Sequence, residues 1–166
     1  MSAFVRALEV DDAASMARIY NAAVEKRLAT FDASPTPIED FESDLAAHLP
    51  THPGVAVEFD DQLVAYALSS PHSSYEPYRG IAEFSIYVGE AYRGRGFGRI
   101  ALHELMTRCA AVGFNKMLSR ILTNNVASRA LCASLGFREV GIYERHAQLD
   151  GAWHDVVIVE KLLRQA

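Results

Sequence analysis

The stretch from Val88 to Arg99 reads Val-Gly-Glu-Ala-Tyr-Arg-Gly-Arg-Gly-Phe-Gly-Arg, and it holds the densest chemistry in the chain. Gly94, Gly96 and Gly98 alternate. A residue without Cβ takes positive φ freely and lets a ligand approach the backbone. Placed between a strand and a helix, such a turn aims several N–H groups into one concavity at the positive end of a helix dipole. That is an anion site, most naturally for a phosphate or pyrophosphate. Arg93, Arg95 and Arg99 add full positive charge around it. The spacing excludes two common phosphate loops. A P-loop needs G-x-x-x-x-G-K-[ST], and no Gly-Lys pair occurs; a dinucleotide fingerprint needs G-x-G-x-x-G, and neither Gly94 nor Gly96 has the third glycine. The plainer alternatives are an RGG-like nucleic-acid contact and a glycine loop without a ligand.

The elements that must hold this turn follow from periodicity. Ile81 to Val88 is an apolar, β-branched and aromatic run, a strand. Ile100 to Ala111 carries Leu102, Leu105, Met106 and Cys109 at helical spacing. Upstream, Phe4 to Leu8 reads as a strand, Asp11 and Asp12 as an N-cap and first-turn acids, and Met16, Ile19, Tyr20, Ala23 and Val24 as the core face of a helix. A second helix runs from Ile38 to Leu49. Val55–Phe59 and Leu63–Ser70 form a hairpin around Asp60-Asp61-Gln62. Downstream come a strand at Met117–Leu122, a helix from Asn124-Asn125 to the C-cap Gly136, and strands at Arg138–Leu149 and Trp153–Leu163 around the tight turn Asp150-Gly151. The order β-αα-β-β-β-α-β-α-β-β predicts one α/β domain: a mixed sheet with helices on both faces.

Composition narrows the class. The chain has 166 residues, half of them hydrophobic, enough for one domain with a real core. The net charge of -5 disfavours a nucleic-acid partner. Cys109 and Cys132 lack metal or disulfide spacing and read as reduced core thiols, so no metal is expected. The N-terminus lacks the apolar region of a signal peptide, and no window reaches membrane-spanning length. A soluble cytoplasmic protein without a membrane partner is the expectation.

Glu83 is the second chemical signal. Alternation puts Glu83, Ser85 and Tyr87 on one face of their strand and Phe84, Ile86 and Val88 on the other. In a sheet covered on both faces a carboxylate needs a partner or a function; an ion pair with an arginine is the plain alternative. Asn125 is at the least a helix N-cap.

Arg93-x-x-Gly96-x-Gly98 resembles the Q/R-x-x-G-x-G/A signature of the GCN5-related N-acetyltransferases, which holds the pyrophosphate of acetyl-CoA. Asn125-x-x-Ser128 with Leu131 and Gly136-Phe137 is similar to the family's following helix, whose asparagine meets the pantetheine arm. The order of elements matches that fold across essentially the full length, and implies a mostly antiparallel sheet of seven strands. Glu83 before Tyr87-Val88, Tyr78-Arg79 before it and Gly151-x-Trp153-His154-Asp155 near the end resemble the phosphinothricin and methionine sulfoximine acetyltransferase branch. The resemblance implies acetyl-CoA as cosubstrate, bound by Ile86, Tyr87, Val88, Arg93, Gly94, Arg95, Gly96, Phe97, Gly98, Arg99, Asn125 and Ser128. It implies Glu83 as general base, and Phe31, Tyr78, Arg79, Glu83 and His154 as substrate contacts. Thr30 and Tyr75 lie on the same two flanking loops. Members of this branch are commonly homodimers, which implies a homodimer here. Cys132 stands where many members carry a tyrosine, often assigned as the acid that protonates the departing thiolate. Without a Cys-His or Ser-His pair, direct attack in a ternary complex is expected. The resemblance also implies that the strand leaves its neighbour near Tyr87 and Val88 to admit pantetheine, which would turn N–H groups of Tyr87 or Val88 toward the developing oxyanion. Two rivals are an acetyltransferase for another amine, such as a protein N-terminus, and a CoA-binding regulatory module without turnover.

Overall fold

The computed structural model describes residues 2–163. Those residues form one sheet of seven strands in the order β1-β2-β3-β4-β5-β7-β6. The strands are β1 (Phe4–Ala7), β2 (Gly54–Phe59), β3 (Gln62–Pro71), β4 (Ile81–Val88), β5 (Lys116–Leu122), β6 (Arg138–Leu149) and β7 (Ala152–Leu162). The helices are α1 (Ala13–Glu25), α2 (Ile38–His48), α3 (Phe97–Ala111) and α4 (Val126–Ser134). Only β4 and β5 pair in parallel; every other neighbouring pair is antiparallel.

Period-two alternation divides the core into two layers. Val55, Val57, Ala65, Ala67, Ala82 and Phe84 pack under Phe97, Ala101, Leu102, Leu105 and Cys109 of α3 and Cys132 of α4. Ala56 and Tyr66 face the other way, against Ala13, Met16 and Ile19 of α1 and Leu45 of α2. Helices therefore cover both faces. Both cysteines are buried free thiols. No helix among the described residues is long and apolar enough to cross a membrane.

The turns have identifiable causes. Asp150 (φ 51°) and Gly151 (φ 77°) both sit in the left-handed region, the two-residue hairpin geometry that Asp-Gly favours. Asp60 (φ 53°) and Asp61 (φ 57°) make the same turn without glycine. Helix α4 ends as its sequence suggests. Gly136 has φ 86°, and the N–H of Phe137 reaches back to the Cys132 carbonyl at 3.0 Å.

Two helix starts differ from expectation. Asp12 does not cap α1. Residues Val10–Asp12 form a 3₁₀ turn, and the Asp12 carboxylate accepts the Arg6 guanidinium (2.7 and 2.8 Å) and the Glu9 N–H (2.9 Å). A strong cationic partner outcompetes the helix end for the carboxylate. Helix α3 begins at Phe97, three residues before the apolar periodicity becomes visible, because Gly98 and Arg99 fill its first turn.

Candidate active site

The site lies where β4 and β5 part. They pair only at Ile81–Lys116, Ala82–Met117 and Glu83–Leu118, while β4 runs on to Val88 and β5 to Leu122. The Ser119 hydroxyl donates to the Phe84 carbonyl at 2.9 Å just past the last pair. Beyond it β4 pairs with β3 alone. The phase of that ladder is fixed by the Gly89 N–H, which reaches the Val64 carbonyl at 2.8 Å. Tyr87, opposite Tyr66 in the same phase, gives its N–H to β3. Ile86 and Val88 turn theirs into the gap. Of the two N–H groups expected to face the gap, that of Tyr87 is taken by β3, whereas that of Val88, with that of Ile86, points into it. Residue spacing alone could not set this phase.

The glycine turn closes one end of the gap. Gly94 (φ 72°) and Gly96 (φ 88°) adopt left-handed backbone, and a Cβ at either would meet nothing within 4 Å. Open space faces those two glycines, and the first turn of α3 follows at once. Gly98 serves differently: a Cβ there would lie 3.3 Å from both Leu131 and Val88, so its bareness lets α3 sit close to β4 and α4. The three arginines separate. Arg93 donates from Nε to the Val88 carbonyl (3.3 Å), and Arg99 from Nη1 to the Ser134 hydroxyl (2.7 Å). Arg95 lies over the rings of Phe59, Tyr92 and Phe97, 4.8 to 5.5 Å from their centroids. Its charge is spent on aromatic faces, and it does not line the cleft that Arg93, Gly94, Gly96, Phe97, Gly98 and Arg99 share with Asn125 and Ser128. That cleft has a volume of about 600 Å³.

A second cavity of about 430 Å³ opens on the other side of the gap. Both are lined by Ala29, Ile86, Tyr87, Asn125, Ser128 and Leu131, so the two spaces adjoin along β4. Asn125 caps α4 by accepting the Ser128 N–H at 3.2 Å, which leaves its amide NH₂ without a protein partner among the described residues. Cap and ligand contact are thus compatible roles.

Glu83 stands at the far side of this second cavity. One carboxylate oxygen, Oε1, takes both Nδ1 of His72 and Nη2 of Arg120 at 2.8 Å. The other oxygen has no partner among the described residues. His72 ends the β3 side of the site and stacks edge-on with Tyr78 at 5.9 Å. Neither His72 nor Arg120 was singled out in the sequence. Arg120 occupies a strand position with no motif around it, and only the parallel register of β4 and β5 brings it to Glu83.

The cavity's third wall is a strap between α1 and α2. Tyr20 hydroxyl bonds Thr30 Oγ1 (2.7 Å) and Asp32, and Tyr87 hydroxyl donates to the Ala29 carbonyl (3.1 Å). Burial pushes the Tyr87 phenol up to about 12, so it stays neutral. The strap is tied outward by the ion pairs Lys26–Glu90 and Arg27–Asp150, the latter reaching the β6–β7 turn at 2.6 Å. Phe31 and Thr30 line the cavity. Tyr75, Tyr78, Arg79 and His154 do not. Arg79 is paired with Glu76 at 2.5 Å, its side chain 80% exposed. His154 sits on β7 opposite Ala147, and the histidine that lines the cavity is His146 on β6. Cys132 reaches the cavity wall but is buried, and that burial pushes its thiol up to about 12.

Comparison with known proteins agrees with this geometry. Residues 16–137 match the model of the Acetyltransferase (GNAT) family. The L-methionine sulfoximine/L-methionine sulfone acetyltransferase of Pseudomonas aeruginosa is 30% identical over 162 residues, covering 96% of this chain and 94% of that one. A phosphinothricin acetyltransferase from Sinorhizobium meliloti, solved with acetyl-CoA, superposes with a TM-score of 0.92 at 28% identity, over 98% of this chain and 89% of that one. A ribosomal-protein-alanine N-acetyltransferase from Brucella melitensis superposes with a TM-score of 0.92 at 31% identity, over 96% and 99%. With its split sheet, its glycine turn and these relatives together, the chain belongs to the GNAT acetyltransferase family and is an acetyl-CoA-dependent N-acetyltransferase.

Proposed function

We propose that the enzyme acetylates the α-amino group of a small amino-acid-like molecule of the phosphinothricin, methionine sulfoximine or methionine sulfone type. One observation carries this reading: the cleft at the glycine turn and the cavity holding the Glu83 carboxylate adjoin at the β4–β5 gap and share six lining residues. The residues present fit acetyl-CoA. Gly94 and Gly96 border open space at the start of α3, which lets a pyrophosphate approach the backbone at the helix N-terminus. Arg93 and Arg99 add charge, and Asn125 and Ser128 flank the path of a pantetheine arm. The cosubstrate supplies the acetyl group as a thioester.

The chain's own groups do the rest. An amine attacks only as its free base, and an amino acid at neutral pH is mostly ammonium, so a proton must leave. The unpartnered oxygen of Glu83 faces the amine side of the space and takes that proton, directly or through water. Ile86 and Val88 N–H groups stand in the gap as fixed donors toward the carbonyl oxygen of the acetyl group. Cys132, with its thiol pushed up to about 12, is a packing group and a poor proton donor. The cavity of about 430 Å³ beside the Thr30–Asp32 strap is sized for a free amino acid, which favours that over a protein N-terminus. Homodimeric assembly is carried over from the branch as part of this proposal.

The test is turnover with acetyl-CoA and an amine panel: phosphinothricin, methionine sulfone, methionine sulfoximine, unmodified amino acids and an alanine-initiated peptide. Release of free CoA with the small analogues, and little with the peptide, is expected. Preference for the peptide would move the substrate to protein N-termini. Acetyl-CoA binding without turnover of any amine would leave a regulatory module.

A further inference from the structure

The substrates proposed above carry an anionic group beside the reacting amine, and the cavity must answer that charge. The titratable residues lining it are Tyr20, Asp32, Glu83, Tyr87, Arg120, Cys132 and His146. Arg120 is the one lysine or arginine among the lining residues. Its guanidinium touches Glu83 through a single nitrogen, Nη2, at 2.8 Å. The remaining donors, on Nε and Nη1, have no protein partner among the described residues. About half of the side chain is exposed, in a space that Phe31, Thr30 and the strap enclose from the other side. Arg79, by contrast, lies outside the cavity, held by Glu76.

The geometry points to Arg120 as the residue that binds the substrate's carboxylate and so selects α-amino acids over simple amines. This rests on the small amino-acid substrate proposed above. The argument is one of matched spacing. An α-amino acid carries ammonium and carboxylate on one carbon, so its two charges lie side by side. The site offers the complementary pair, a carboxylate oxygen and a guanidinium in direct contact. The ammonium meets the free oxygen of Glu83 while the carboxylate takes the unused edge of Arg120 in a forked, charge-assisted contact. A substrate so held has its amine at the base and its backbone pinned. Arg120 also has a second partner ready when the site is empty, since Glu83 keeps its charge compensated. His72 holds the same Glu83 oxygen at 2.8 Å, a second contact that fixes the carboxylate.

The experiment compares L-methionine sulfone with its carboxamide, which differ at the carboxyl group alone. In the wild type the acid should be strongly preferred. Arg120→Gln should raise KM for the acid roughly tenfold to a hundredfold, the worth of a lost charge-assisted contact. KM for the carboxamide and for acetyl-CoA should barely move. Arg120→Lys should recover part of the loss, and it keeps the test open if the Gln variant folds poorly. Equal losses for acid and carboxamide would overturn the inference and make Arg120 a positioning residue for Glu83. An acid-selective loss from Arg79→Ala, with none from Arg120→Gln, would overturn it in favour of Arg79. A wild type that prefers the carboxamide would overturn it while leaving N-acetylation intact. Turnover of neither compound would remove the proposed substrate class and this inference with it.

Discussion

At the scale of single residues, the site rests on a carboxylate with one oxygen engaged and one free. Glu83→Gln keeps the shape and removes the basicity. If Glu83 takes the proton, kcat should fall by on the order of 10²–10⁴, with acetyl-CoA affinity measured by calorimetry nearly unchanged. If Glu83 only holds the ammonium by charge, KM for the amine should rise and kcat should survive at saturation; that split decides its role. Cys132 gives a complementary prediction. Burial holds its thiol up to about 12, so it does not ionise in the working range. Cys132→Ala should cost stability by about 0.5–3 kcal/mol, as core substitutions do, yet keep the alkaline limb of the kcat/KM–pH profile where it was. A shifted limb would restore Cys132 as a proton donor. Glu83 stands out as a carboxylate on an otherwise largely apolar strand, and the ion pair with an arginine that the residues leave open is present with Arg120; its role as base comes from the resemblance. His72 and Arg120 could not be read in this way, because nothing local marks them: one directly follows a strand, the other sits inside one, and they meet Glu83 across separations of 11 and 37 residues.

At the scale of elements, the turn from β4 into α3 separates two uses of glycine that look identical in sequence. Gly96 needs positive φ and borders open space, whereas Gly98 needs room for Leu131 and Val88. Gly96→Val should strain a left-handed backbone by about 1–2 kcal/mol and obstruct the anion site, so acetyl-CoA affinity should collapse in a protein that still folds. Gly98→Val should act first on packing, lowering stability by about 1–3 kcal/mol, with thermal unfolding as the readout. Normal CoA affinity in a folded Gly96→Val would end the pyrophosphate assignment. Most elements were legible because their patterns are strictly periodic; Ile81 to Val88 matches β4 residue for residue. What stayed hidden were points where a distant partner overrides a local rule. Asp12 leaves the helix end for Arg6, and Arg95 leaves the anion site for three rings. The residue pattern alone does not show the gap, since pairing between β4 and β5 stops without any break in either strand's pattern; only the family resemblance implied that the strands part there.

At the scale of the whole molecule, the sheet's first edge is secured by charge. Arg6 on β1 bridges Asp12 and, at 2.7 Å, Glu58 on β2. Burial opposes ionisation of Asp12, but the hydrogen bonds from Arg6 and from the Glu9 N–H outweigh it and hold the carboxyl below the usual range. A carboxyl whose folded pKa is lowered stabilises the fold fully above its unfolded value near 3.8 and loses that contribution as pH falls through the folded value. Asp12→Asn should therefore lower stability at pH 7 and flatten the loss of stability on acidification below about pH 4. An unchanged acid limb would show the bridge to be passive. The parting of β4 and β5 has a mechanical consequence. The sheet is two leaves, β1 to β4 and β5 to β7, joined through three residue pairs. A molecule lodged between the leaves acts as a missing strand, so occupancy becomes a property of the entire fold. At a hundred times its dissociation constant, acetyl-CoA should add about 2.7 kcal/mol to unfolding, raising Tm by roughly 5–10 °C for a chain of this length. The enzyme would then report its own cosubstrate as heat resistance, and a cell short of acetyl-CoA would hold the softer, more readily degraded form.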